Sequence, residues 1–168
     1  MKKQAVSVKY GVGVGVVLIL GFLLLSLFDL HLKPFFSAIN IVIVGLGLYG
    51  VISTYKKDHK NDTLKKFTYQ KGFRVGVVTG FISTIIFSVF FVIYSSNIEP
   101  DFVNKMLVDF NSGYEVGAAT VSFIVFLMGL ATTVVLSLAL MQIMKDSWNT
   151  QQGKRYTISD QERTRVES

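Results

Sequence analysis

A chain of 168 residues, 51% apolar and 17% charged, has the length of one domain but more apolar side chains than a soluble core of that size needs. Its formal net charge of +6 comes from basic residues set beside long apolar runs, which points to lipid headgroups as partner and away from nucleic acid. The absence of cysteine excludes disulfides, thiolate metal sites and thiol redox relays.

Four runs contain no Asp, Glu, Lys, Arg or His and cover about residues 10–28, 35–55, 75–94 and 117–141. Each is long enough for a helix rising 1.5 Å per residue to cross roughly 30 Å of hydrocarbon. The first follows Lys2, Lys3 and Lys9. Its apolar core is longer than that of a secretory signal peptide and no A-x-A site follows, so it reads as a retained membrane helix. The turn from Asp29 to Pro34 is short, which predicts an antiparallel hairpin with the second run, and Pro34 suits the first turn of a helix. Asn40, the only amide in the second run, is expected to make a structural hydrogen bond between helices.

Next comes a basic cluster, Lys56, Lys57, Lys60, Lys65 and Lys66. Near anionic lipid each positive charge contributes about 1 kcal/mol; anchoring of the topology explains the cluster sufficiently, and a lipid-headgroup or protein-docking site is the alternative. The third run carries Gly72, Gly76, Gly80, Thr84 and Ser88, small residues spaced by four that form one ridge along the helix. Such a ridge lets another backbone approach closely. Gly11, Gly13 and Gly15 in the first run and Gly129, Thr133 and Ser137 in the fourth offer small faces to receive it, and a second chain is the alternative. The hydroxyls of Thr79, Ser83, Thr132 and Thr133 are expected to bond nearby carbonyls.

Beyond the third run, Phe102, Val103, Met106, Leu107 and Phe110 recur at helical spacing between Pro100 and the stop Asn111-Ser112-Gly113. This predicts a short amphipathic helix over about 100–111, lying on the outer membrane surface. The fourth run completes a transmembrane domain over 1–144 and a second hairpin. Residues 145–168 are polar, charged in both signs and expected to form a mobile tail.

Fifteen of the 17 Lys and Arg residues lie in the N-terminus, the central loop and the tail; the other two loops hold only Lys33 and Lys105. By the positive-inside rule both termini are cytoplasmic. The predicted fold is therefore an all-α, integral membrane four-helix bundle of two hairpins.

The runs lack the titratable group from which a proton-coupled carrier builds its coupling step. His31 and His59 fall on opposite sides of the membrane in this topology, so they cannot share a haem or a metal. No catalytic, cofactor or metal residues are assigned. The expected function is a non-enzymatic accessory or scaffold subunit that packs with other membrane proteins or with itself; the alternative is a small oligomeric channel or carrier for an uncharged solute.

Two segments, Phe67-Thr68-Tyr69-Gln70-Lys71-Gly72-Phe73-Arg74-Val75-Gly76 and Ile98-Glu99-Pro100-Asp101-Phe102, resemble a family of small bacterial four-helix membrane proteins defined only as a domain of unknown function. The likeness in layout extends over about residues 5–145. The resemblance implies a bacterial inner membrane and a Thr-Tyr-x-x-Gly-Phe start to the third helix, but no activity. In this setting Tyr69 anchors the helix at the interface and Thr68 is the expected cap.

Overall fold

The computed structural model describes residues 2–30, 38–60, 67–108 and 117–144. Their regular structure is all helical: α1 (Lys2–Ser26), α2 (Ala38–Lys60), α3 (Tyr69–Ile93), α4 (Phe102–Val108) and α5 (Ala118–Met144), with a π-helical turn, Tyr94–Ile98, prolonging α3. Four helices are long and apolar enough to cross a membrane, over Val6–Ser26, Ala38–Asp58, Tyr69–Ile98 and Ala118–Met144. A helix satisfies its backbone groups internally, which is what a segment surrounded by hydrocarbon must do.

α3 is the hub, packing against α1, α2 and α5. It buries 44% of its most apolar stretch, against 11% for α5. The sequence explains this, because α3 interleaves small residues with aromatics on every side. Toward α1, a Cβ on Gly11 would meet Ile82 Cβ at 2.8 Å and one on Gly15 would meet Ile86 Cβ at 3.0 Å. Thr79 Oγ1 donates to the Ser7 carbonyl at 3.3 Å, and Phe22 meets Phe90 further along. These pairs advance together, so α1 and α3 run in the same direction. Gly47 of α2 likewise admits Val14 of α1.

Two clusters of large side chains close the ends of the bundle. At one end Phe22, Phe91, Tyr94, Phe102, Val103 and Val121 are buried together. Phe22 is their centre, with Phe87, Phe90, Phe91, Tyr94 and Phe102 all edge-on to it at centroid distances of 4.9 to 6.1 Å, the arrangement that aromatic quadrupoles favour. At the other end Val51, Ile52, Tyr55, Val75 and Met141 form the second cluster.

Local signals set the helix ends. Asp29 ends the turn after α1 in a left-handed conformation, φ 52°, which a short polar side chain tolerates better than a bulky one. Thr68 occupies the N-cap of α3 in extended backbone but makes no side-chain cap bond. Its carbonyl instead accepts from the Lys71 and Gly72 N–H groups at 3.0 and 3.1 Å, so its expected capping role passes from hydroxyl to backbone.

α4 departs from the sequence reading. Phe102 and Val103 are turned into the bundle and fully buried, so this part of the amphipathic face covers the chain's own aromatic cluster instead of a lipid surface. The side chains of Met106 and Leu107, and all of Phe110, lie outside the described residues, as do His31 and residues 145–168.

Candidate functional site

The small-residue ridge of α3 meets α5 residue by residue. A Cβ on Gly72 would meet Met141 Sδ at 2.6 Å, one on Gly76 would meet Ser137 Oγ at 2.8 Å, one on Gly80 would collide with Thr133, and one on Gly129 would meet Thr84 Cγ2 at 2.7 Å. The numbers rise on one helix as they fall on the other, so α3 and α5 run in opposite directions. Ser88, the last member of the ridge, is buried as well.

Three of these contacts set a Ser or Thr side chain against a glycine: Ser137 presents its hydroxyl to Gly76, while Thr133 and Thr84 put their methyl groups nearest to Gly80 and Gly129. The oxygens of Ser88, Thr133 and Ser137 have no hydrogen-bond partner, so the carbonyl bond expected of Thr133 is not made. The Ser137 oxygen faces the Cα–H of Gly76, the geometry of a weak hydrogen bond that recurs at helix contacts. Of the other hydroxyls, Ser83 donates to the Gly80 carbonyl at 2.9 Å, three residues back, as expected.

Toward the aromatic end, α2 stands away from α5 and a cavity of about 430 Å³ lies between them. Asn40 and Val44 of α2 and Val125, Gly129 and Thr132 of α5 form its walls, Thr84, Phe87 and Phe91 of α3 with Leu18 and Phe22 of α1 its floor, and Phe102 its end. The Asn40 Oδ1 is buried without a hydrogen-bond partner. The interhelical bond expected of this amide is therefore not made, because the facing helix is held off by the cavity. A second, more open groove between α1 and α2, about 510 Å³, is lined by Gly13, Val17 and Leu46 with Lys9 at its margin.

A chain of polar contacts holds the end of the cavity. Ser26 Oγ and Tyr94 Oη lie 2.7 Å apart, Tyr94 Oη donates to Glu99 Oε2 at 2.9 Å, and Lys105 Nζ donates to Glu99 Oε1 at 2.7 Å. This latch joins α1, the π-helical turn and α4, and so fixes the helix that carries Phe102. The hydrogen bond and charge of Glu99 raise the Lys105 pKa above its ordinary value. Sequence reasoning missed the latch, since Ser26 and Tyr94 stand 68 positions apart and belong to no periodic pattern.

The basic cluster is only partly a free surface. Lys56 Nζ donates to the Met144 carbonyl at 2.9 Å and lies 5.8 Å from the centre of the Phe67 ring. A cation at the last carbonyl of a helix satisfies an orphan acceptor and complements the helix dipole, so Lys56 ties α2 to the end of α5. Lys57 is exposed; the Lys60 side chain and Lys65 and Lys66 lie outside the described residues. Among the described residues no group of three His, Asp or Glu could hold a metal ion.

No curated protein and no solved structure matches the chain. A family described as "Protein of unknown function (DUF4199)" matches residues 9–146, a range that takes in the α3–α5 seam, the cavity and the latch. The chain, whose described residues hold four spanning-capable helices and which the family model matches over most of its length, thus belongs to the DUF4199 family.

Proposed function

We propose that this protein is a non-enzymatic accessory or scaffold subunit of the bacterial inner membrane, with both termini in the cytoplasm, that packs with other membrane proteins. The supporting observation is the unequal use of its helices. The ridge of α3 is filled by α5, while α5 leaves Phe123, Ile124, Met128, Val135 and Ile143 exposed. The ridge that the sequence offered as a contact surface is thus occupied within the chain, which leaves the outer side of α5, the least buried of the four long helices, open to a partner. The clustering of basic residues on one side supports the orientation, and lipid headgroups are the natural partners of exposed Lys57.

A channel or carrier lined by the hydroxyls of α3 and α5 is less well supported. Thr79, Ser83, Thr133 and Ser137 are each at most 1% exposed, so a passage along them needs the seam to open. The test is purification from native membranes in mild detergent, with mass spectrometry of whatever accompanies the chain. A second membrane protein at fixed stoichiometry is the expected result. A homo-oligomer alone would overturn the accessory reading and favour the channel.

A further inference from the structure

We propose that the cavity between α2 and α5 is a binding site for one acyl chain of a bilayer phospholipid, admitted sideways from the hydrocarbon. The proposal rests on the reading of the chain as membrane-spanning. The cavity's volume, about 430 Å³, is within the range of small-molecule sites. Its described lining is aliphatic and aromatic apart from Asn40, Thr84 and Thr132. Among the described residues it has no charged group, so a charged solute would lose its hydration there without gaining a partner among them.

The rim faces the right solvent. Ile41 and Met128, which line the cavity from its two walls, are 49% and 65% exposed and continue the apolar exterior of α2 and α5. Among the described residues, Phe102 stands at one end and α3 and α1 form the floor, which leaves the gap between α2 and α5 as the side toward the hydrocarbon. In a bilayer the molecule waiting there is a lipid chain. An apolar void beside liquid hydrocarbon forfeits dispersion contacts that an entering chain restores.

The polar group sits where a lipid needs it. Asn40 lies near one end of the span Ala38–Asp58, and the proposal sets the lipid ester groups beside it. Its amide has an unpartnered, buried oxygen, and rotation of the amide presents either that oxygen or the N–H donors. An ester carbonyl accepting from Asn40 leaves its acyl chain to run along α5 from Val125 to Thr132, about 10 Å at the helical rise.

The experiment reconstitutes the full chain into phosphatidylethanolamine–phosphatidylglycerol vesicles. They hold a trace of phosphatidylethanolamine with a photoactivatable diazirine in one acyl chain, and cross-links are mapped by peptide mass spectrometry. The expected result is labelling of Leu18, Thr84 and Phe91, which are buried and beyond reach of a lipid that only coats the surface, together with labelling of exposed Val135 and Ile143. Val44→Trp fills the cavity from α2 and should abolish the floor labels while sparing the exterior ones. Thr132→Phe does the same from α5 and serves if the first variant does not fold. Asn40→Leu should weaken the floor labels. Exterior labels without floor labels, or floor labels unchanged in the filled variants, would overturn the site while leaving the membrane reading standing. Loss of all labelling in the unsubstituted protein would overturn both.

Discussion

α5 makes two seams of opposite character. Against α3 it meets Gly72, Gly76, Gly80 and Thr84, and the backbones close until a single added carbon has no room. Against α2, at the aromatic end, it faces Asn40, Ile41 and Val44 across an open cavity. At its nearer approach to α2, a Cβ on Gly45 would still lie 3.9 Å from Leu136. The difference teaches what holds helices together in lipid. Apolar bulk gives no drive toward association there, so contact forms where small residues let surfaces interlock and fails where they do not.

The sharpest way to break this comparison is to attack the point where both regions end. Phe22→Ala empties the centre of the aromatic cluster and is expected to cost about 3–5 kcal/mol, seen as a large fall in thermal stability in detergent. Gly80→Leu should follow, at about 3 kcal/mol, because its side chain enters Thr133 across the closed seam. If Gly80→Leu were tolerated as readily as Val44→Leu in the loose seam, the contrast would collapse. Tyr94→Phe removes the centre of the latch and should cost about 1 kcal/mol, measured by the same melting experiment.

Smaller still is the effect of the Glu99–Lys105 pair. Glu99 raises the Lys105 pKa, so the pair's contribution is complete below the ordinary lysine value of 10.5 and is lost as pH rises through the higher folded value. Unfolding followed from neutral to strongly alkaline pH should show that loss in the parent and not in Glu99→Gln. The gentlest test is Gly13→Ala. No atom lies within 4 Å of the added carbon, so the variant should gain about 0.5–1 kcal/mol from helix propensity, whereas Gly11→Ala, against Ile82 and Thr79, should lose stability.

The four apolar runs were legible because spanning length and absence of charge are one-dimensional properties. The ridge was legible as a packing device by its spacing of four, and Gly129, Thr133 and Ser137 carried the matching signal, but several receivers fitted it. Depth and direction had to choose among them. Phe102 was misread because amphipathic spacing reports that a face is apolar, not which surface it covers; lipid and a protein's own core look alike to it. Asn40 was found as a lone amide, yet its missing partner depends on a gap between helices, and a gap has no residues to spell it. The latch was illegible because it joins three elements through Ser26, Tyr94 and Glu99 without any regular interval.

The contact between α1 and α3 sets an order of events during synthesis. Gly11 and Gly15 find their counterparts at Thr79, Ile82 and Ile86, and Ser7 awaits Thr79. α1, made before α3, therefore waits with the glycines that face α3 uncovered while α2 and the basic loop are synthesised. The aromatic end of this contact closes once Phe90 and Phe91 have been made and can dock on Phe22. During that interval the bare face of α1 is the part of the nascent protein most open to the wrong neighbour.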